Sequence, residues 1–314
     1  MMTPANAQKT ALPILMVLLM LLVSACGISA PYRPADKKTI RDFNASDTYR
    51  KRIGILALTN TTAFTSDQIT APFMKHFLEG LKSEVSKAHL LMPNDAPNAP
   101  FLSNPPRLDN GDIEVFSLCA QARQAGINAV VSPMIIDIRT SKKNTGAWFF
   151  RDVSYILQIQ TAAAAYDTIT GARISLGILT EKIDISEQQS QQIINGQETK
   201  IDALVDVARE MGDQLAEQLG EAIEESRWAS TIVSIENGRC GIPAGSEVGI
   251  KPGDRFSVLE VGDVLTGLND QQFIVPGVKI GDITIEQVTD QDAFGAPESG
   301  SLPPVGSIVV PDKK

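Results

Sequence analysis

The pattern of apolar and polar positions divides the chain into a first part that mixes helices with strands and a second part of strands alone. Apolar residues at helical spacing predict three helices, over residues 66–85, 112–125 and 200–226. Short apolar runs and alternating positions predict strands over residues 52–58, 90–92, 126–138 (bent at Pro133), 153–166 and 172–185, the last two as a hairpin. Polar stretches at residues 93–110, 140–151 and 186–199 are predicted to be loops. This order predicts a mixed sheet with helices packed on it.

After residue 228 the helical spacing stops, and glycines and prolines separate short apolar runs. This pattern predicts a small all-β barrel or sandwich domain. Two similar segments, Gly249–Asp254 and Gly277–Asp282, each precede a predicted strand, and each Gly-Asp pair is predicted to make a tight turn into it. The predicted fold class is therefore α+β, with an α/β domain at residues 51–229 and a small β domain at residues 230–314.

The N-terminus has the pattern of a bacterial lipoprotein signal. The apolar run Ala11–Val23 follows a single cation, Lys9, and leads into Ser24-Ala25-Cys26. Because this run is shorter than the roughly 20 apolar residues that span a bilayer, a cleaved signal is favoured over a membrane anchor. We predict that residues 1–25 are a signal peptide and that Cys26 carries acyl chains such as palmitate. An uncleaved anchor and a plain signal peptide are the alternatives.

The residues after Cys26 bear on where the protein is held and how. Gly27 stands where an aspartate would favour retention in the inner membrane, so sorting rules predict the periplasmic face of the outer membrane. Residues 26–50 are polar, contain two prolines and lack a periodic apolar pattern, which predicts a flexible tether between the lipid and the first domain.

Charge and composition limit the class of partner. Removal of residues 1–25 takes away one lysine and no acid, which leaves 27 cations against 37 acidic residues and a formal net charge of −10. Nucleic acid is not an expected partner, because its binding depends on basic surface. The apolar fraction of 43% is enough for well-formed cores.

The cysteines and histidines suggest no metal or redox chemistry. Cys119 is predicted to be a small core residue on a helix, and Cys240 is predicted to lie in a loop. A disulfide between them remains an alternative, because the periplasm permits disulfides. His76 and His89 are the only histidines, and the sequence has no Cys-x-x-Cys or His-Glu-x-x-His pattern that would indicate zinc.

Acidic pairs are the remaining candidates for catalysis. Asp137 with Asp184, or Asp254 with Asp282, could act as acid and base, although strand-edge and turn positions explain them better. The polar loop at residues 60–62 could line a ligand crevice at the end of a strand. The sequence has no nucleophile elbow, Walker loop or dinucleotide fingerprint. We therefore predict a protein that is not an enzyme and uses no cofactor or metal.

Several segments together follow a known arrangement: the strand RIGILALTN, the helix after it, the strand AVVSPMIIDI, the hairpin around YDTITGARISL and the long last helix. This arrangement resembles the periplasmic α/β domain of curli-secretion-channel-like lipoproteins. The same core occurs in the N-terminal domain of the translocation protein TolB and the middle domain of flagellar assembly protein T. The stretch NGRCGIPAGSEVGIKPGDRFSVLEV resembles the small β domain that ends flagellar assembly protein T. The resemblance covers residues 51–314 and implies envelope assembly or secretion by protein contact.

The sequence therefore predicts a lipid-anchored, non-catalytic scaffold or assembly factor of an envelope machine, flagellar or secretory. The candidate partner contact is Trp148, Phe149, Phe150 and Arg151 in the loop 140–151, because aromatic residues and arginine are enriched at interface hot spots. These aromatics could instead begin the next strand and pack inward. The alternative function is an oligomeric outer-membrane secretion channel of the curli type. It would need spanning strands of about 9–11 residues, for which the loops 140–151 and 186–199 are too short and polar.

Overall fold

The computed structural model describes residues 49–312 except 63, 65, 86, 94–95, 97, 146–151, 198, 268–269 and 300. The first part of the chain contains six strands: β1 (Arg52–Ile55), β2 (Thr59–Asn60), β3 (His89–Leu91), β4 (Ala129–Thr145), β5 (Asp152–Asp167) and β6 (Arg173–Ile185). They form one mixed sheet in the order β3-β1-β4-β5-β6, with β2 beside β4. The pairs made by β1 and β2 are parallel, and those of β4 with β5 and β5 with β6 are antiparallel. This sheet and its helices are called the α/β part below.

Helices cover both faces of this sheet: α1 (Asp67–Glu84), α2 (Val115–Gln124), α3 (Glu187–Ile194) and α4 (Asp202–Glu225). Apolar residues alternate along the strands, so that Ala129 and Val131 pack in the core with α1 and α4. Val130, which lies between them, packs in a second core with α2 and the 3₁₀ turn Pro100–Leu102. The predicted mixed sheet with packed helices is thus confirmed.

The two long predicted helices form where their apolar stripes indicate. Ser66 caps α1 by accepting a hydrogen bond from the amide of Gln68, and Ile69, Phe73, Phe77 and Leu81 are all buried. Glycines of α4 bring it close to α1: a Cβ built on Gly212 would lie 2.6 Å from the carbonyl oxygen of Phe73. The two helices are therefore in close contact at this glycine.

The second part of the chain, called the β part below, is all β, as predicted. A seven-stranded antiparallel sheet and a separate hairpin contain β7 (Ser230–Thr231), β8 (Ser234–Glu236), β9 (Arg239–Ile242), β10 (Arg255–Leu259), β11 (Val264–Thr266), β12 (Gln272–Ile274), β13 (Lys279–Val288), β14 (Ala293–Pro297) and β15 (Ile308–Pro311). The order in the large sheet is β7-β15-β10-β13-β14-β9-β8, and β11 pairs with β12. The predicted α+β class is therefore confirmed.

Strand β4 is longer than the sequence pattern indicates. The predicted loop at residues 140–151 is strand as far as Thr145, and the pairing irregularity lies between Ile135 and Asp137 rather than at Pro133. Because β4 has 17 residues, residues 140–145 belong to a strand that is long enough for a channel. The charges of this segment still oppose contact with lipid. Lys142 and Lys143 are consecutive, so they point to opposite faces of the strand, and both are exposed.

Three other local predictions were wrong. The predicted loop at residues 186–199 contains the helix α3, which begins with a capping box formed by Ser186 and Gln189. Helix α2 begins at Val115 instead of Asp112, because the side chain of Glu114 caps it. The predicted turn at Gly281-Asp282 lies inside β13.

The first described residues belong to the folded part of the chain. Tyr49 packs its ring against Trp228 and Phe256, with centroids 5.0 Å and 5.5 Å away. The amide of Arg50 donates to the carbonyl of Val248 at 2.8 Å. The predicted tether, residues 26–50, therefore ends in residues that are packed on the β part. None of the helices in the described part of the chain combines the length and apolar character that crossing a membrane requires.

Candidate protein-interaction site

A cleft with a volume of about 850 Å³ lies where the α/β part meets the β part. One wall consists of β3, the turn Pro100–Leu102 and the end of α2. Pro243, Glu247 and the turn at residues 291–292 form the other wall. The cleft is within the size range of protein ligand sites, and both parts of the chain contribute to it.

Arg52, the first residue of β1, joins the two walls of this cleft. Its side chain is only 7% exposed, and its Nη1 donates to the carbonyl oxygen of Pro243 at 3.3 Å. Its Nη2 lies 3.1 Å from Oε2 of Glu247, whose side chain is 40% exposed. The guanidinium is thus buried but neutralised, which is the arrangement a buried charge requires.

Close main-chain contacts fix the same junction. Gly126 follows α2 with φ +70°, and a Cβ built there would lie 1.8 Å from the carbonyl oxygen of Pro243. Asn128 accepts a hydrogen bond from the amide of Arg52 at 2.9 Å and donates to the carbonyl of Ala229 at 2.8 Å. The two walls of the cleft are therefore held at a fixed distance by contacts that leave no room for another atom.

Strand β3 presents its edge to the cleft. It pairs with β1 on one side, and His89, Leu90 and Leu91 all line the cavity. Successive side chains of a strand point to opposite faces of a sheet, so one face would contribute only alternate residues. Three consecutive lining residues therefore mean that the cavity runs along the edge of the strand.

The lining of the cleft combines apolar, neutral polar and charged groups. Apolar side chains line it beside neutral amides, including Gln121 and Gln124, and its charged groups include the pair of Arg52 with Glu247 and the carboxylate of Asp292. Nowhere in the described ranges do three or more His, Cys, Asp or Glu side chains come together in a way that could hold a metal ion. The arrangement can hydrogen-bond to a polypeptide and cover apolar side chains.

The sequence-predicted site residues lie elsewhere. Cys26, Trp148, Phe149, Phe150 and Arg151 all lie outside the described residues. The predicted lipid attachment and partner contact therefore stay predictions.

Three of the acidic residues considered for catalysis have structural partners. Asp254 accepts a hydrogen bond from the amide of Lys251 in a turn. Asp282 accepts from Ser257 at 3.1 Å and pairs with Lys279 at 2.6 Å, and the hydrogen bond from Lys279 lowers the pKa of Asp282. Asp137 pairs with Arg139 at 3.4 Å. In the polar loop after β1, the side chain of Asn60 bonds to Thr62 and Phe64 and so closes the loop itself.

The two cysteines outside the signal region are buried and free, so no disulfide joins them. Cys119 packs as a core residue on α2, as predicted, whereas Cys240 lies in β9 and not in a loop. Burial, followed by the charge of Asp167, raises the pKa of the Cys119 thiol to about 12. Burial also raises the pKa of Cys240. Both thiols are therefore protonated and poorly nucleophilic at neutral pH.

The residues that shape the cleft were missed by sequence reasoning. Arg52, Gly126, Pro243 and Glu247 are separated by up to 195 positions and meet only in the folded chain. One signal was present: Lys51-Arg52 places two cations directly before a buried apolar strand, where charges must find partners. A second was the short strand at residues 90–92, because short strands are typical of sheet edges.

No protein-family profile matches this chain, and no curated protein matches it. Solved structures similar to part of the chain include the hypothetical protein CT253 from Chlamydia trachomatis, at 13% identity over 55% of this chain and 98% of that one, with a TM-score of 0.34. The PelC dodecamer from Paraburkholderia phytofirmans is 14% identical over 54% of this chain and 87% of that one, with a TM-score of 0.31. The lipoprotein GNA1162 from Neisseria meningitidis is 11% identical over 46% of this chain and 93% of that one, with a TM-score of 0.27. Lipoproteins are thus among the similar structures, but at these TM-scores the likeness carries no argument about function.

Proposed function

We propose that this protein is a non-catalytic scaffold or assembly factor of an envelope machine, flagellar or secretory, held at the periplasmic face of the outer membrane by a lipid on Cys26. The observation that carries the proposal is the cleft at the junction of the two parts, into which a sheet edge opens. Such a site suits protein contact, because main-chain groups together with polar and apolar side chains recognise polypeptide.

The rigidity of the junction supports a scaffold role. Arg52 and Gly126 fix the α/β part against Pro243 of the β part. A partner bound in the cleft would meet both walls in one fixed geometry, so little ordering entropy would oppose binding. A scaffold depends on this property, because it must hold its partners in a defined arrangement.

The membrane anchor is supported by the sequence. The run Ala11–Val23, the small residues before Cys26 and the acidic chain after it suit a lipid-held periplasmic protein. Several acyl chains hold a protein on a membrane almost permanently, because each buried methylene contributes about 0.8 kcal/mol. The resemblance of the sequence segments to curli-channel-like lipoproteins and flagellar assembly protein T suggests the two classes of machine.

In-cell crosslinking followed by mass spectrometry of the partners tests the proposal, with Cys26→Ala as the matched control. We expect the wild-type protein in the outer-membrane fraction, crosslinked to flagellar or secretion components. The control should leave that fraction and lose or weaken the crosslinks. Crosslinks only between copies, in a ladder that closes at one ring size, would instead support the alternative of a curli-type secretion channel.

A further inference from the structure

We infer that the open edge of β3 is a docking strand, to which an extended, positively charged segment of a partner polypeptide adds as a further strand. This inference names the kind of partner and rests on the proposed function. It is carried by the hydrogen-bond pattern of β3, the shape of the cleft beside it and the charges at its far wall.

The pairing of β3 with β1 determines which main-chain groups remain open. The amide of His89 donates to the carbonyl of Lys51 at 2.9 Å, and the two strands are parallel. In a parallel ladder only alternate residues direct their N–H and C=O to a given neighbour. His89 and Leu91 therefore face β1, and Leu90 faces away from it. Outside the strand ladder, no described residue forms a main-chain hydrogen bond to Leu90.

This open donor and acceptor suit a polypeptide as occupant. An N–H and a C=O spaced as in a strand are satisfied together by the main chain of another strand. The cleft leaves space for that strand and supplies a wall for its side chains, formed in part by the exposed residues Pro100, Gln121 and Gln124. Since β3 has only three residues, it offers few main-chain bonds, and the wall must supply most of the selectivity.

The charges of the cleft select the partner. Arg52 is neutralised by Glu247, and the carboxylate of Asp292 lines the same wall. A lysine or arginine in the docked segment would complement the carboxylate of Asp292. A second copy of this chain is a poor occupant by comparison, because the chain carries more acidic than basic residues and Asp292 also carries negative charge. We therefore assign the site to a basic extended segment of another protein.

Two substitutions of Leu90 distinguish the effect of losing the open N–H from the effect of losing the packed side chain. Leu90→Pro removes the open N–H and leaves the bonds to β1, because proline is tolerated where an edge N–H faces outward. Leu90→Ala removes the same side chain, which is partly buried against the core, but keeps the N–H. Thermal melting shows whether each variant is folded.

The probe is a phage-displayed library of random linear peptides, selected on the full lipid-bearing protein in detergent. We expect selected peptides to alternate apolar residues with at least one Lys or Arg, and to protect the Leu90 amide from hydrogen exchange. Their affinity should fall up to about tenfold in Leu90→Pro relative to Leu90→Ala, because the main-chain bond that the Leu90 N–H donates is lost. A lysine-to-glutamine change in a selected peptide should weaken binding as well.

Other outcomes overturn the inference. They are a selection that returns no peptide, peptides that bind both variants equally, and self-association of the protein that Leu90→Pro abolishes. The result is separate from the test of the proposed function. If peptides dock but Cys26 does not hold the protein on the membrane, only the anchored scaffold is refuted. If Leu90→Pro keeps the crosslinks of the wild-type protein, only the docking edge is refuted.

Discussion

Gly126 and Pro243 approach so closely that a Cβ built on Gly126 would lie 1.8 Å from the carbonyl oxygen of Pro243. The backbone of Gly126 has φ +70°, a conformation that favours glycine. Both properties require the absence of a side chain. The junction between the α/β part and the β part is therefore closed at this point by main-chain atoms alone.

Gly126→Ala should consequently destabilise the protein strongly. A methyl group there must displace a backbone carbonyl, and overpacking of this kind costs about 1–3 kcal/mol in addition to the roughly 1–2 kcal/mol of a positive φ. Urea denaturation of both proteins measures the difference in the free energy of unfolding.

Gly111→Ala is the matched control for this measurement. Gly111 has φ +89°, and a Cβ built there would meet no atom within 4 Å. It should therefore lose only the roughly 1–2 kcal/mol of the unfavourable φ. Equal losses in the two variants would mean that the contact with Pro243 is unimportant for stability.

The pair of the buried Arg52 with the partly exposed Glu247 allows a second prediction. Glu247→Ala should cost about 1–3 kcal/mol, because it leaves a guanidinium that is 7% exposed without its carboxylate. Arg52→Met should cost less in the Glu247→Ala background than alone, since the unpaired charge is then removed as well. A double-mutant cycle of unfolding free energies measures the coupling, and additive losses would show that the two side chains act independently.

The sequence predicted the fold where burial of one face gives the apolar residues a regular spacing. The prediction failed where no such spacing exists. The stripes of α1 and α4 are apolar because each helix packs one face on the sheet. Beyond Ile138, β4 carries mostly polar or charged residues such as Arg139 and Lys143, so the alternation that indicates a strand is absent. Pairing with β5, and not burial, makes this segment a strand.

Helix α3 and the cleft show two other limits. The capping box of Ser186 and Gln189 was visible in the sequence, but the helix buries too few residues, mainly Ser190 and Ile193, to produce an apolar stripe. The cleft was not visible at all, because its position depends on how the two parts of the chain pack. Local periodicity carries no information on contacts between residues such as Gly126 and Pro243.

A buried hydroxyl gives the third prediction. Thr161 in β5 has 0% exposure, and its Oγ1 has no hydrogen-bond partner within the described residues. Thr161→Val keeps the shape and the β-branched backbone preference and removes an unsatisfied polar atom. We expect a gain of about 1–2 kcal/mol in the free energy of unfolding, measured by urea denaturation.

Thr168→Val is the control for that gain. Thr168 is equally buried, but its Oγ1 donates to the carbonyl oxygens of Ile127 and Asn128. The same change of side chain should therefore destabilise the protein by about 1–3 kcal/mol, because these bonds are lost. If both variants shifted stability in the same direction, hydrogen bonding would not explain the effect at Thr161.

The last prediction concerns alkaline pH. Burial, with a smaller contribution from a hydrogen bond to Asp254, raises the pKa of Tyr49 above its ordinary value of 10.0. The folded protein therefore favours the protonated phenol more than the unfolded chain does. The resulting stability is fully present below pH 10 and is lost as the pH rises toward the folded pKa.

Tyr49→Phe removes this titration and keeps the ring between Trp228 and Phe256. Unfolding free energies measured from neutral pH to above pH 10 should therefore fall less steeply in Tyr49→Phe than in the wild-type protein. Asp254→Asn separates the two causes: because burial is the larger one, most of the alkaline loss should persist in that variant. Identical pH dependence in wild-type and Tyr49→Phe would mean that the phenol remains accessible to water and that Tyr49 does not fix the start of the folded chain on the β part.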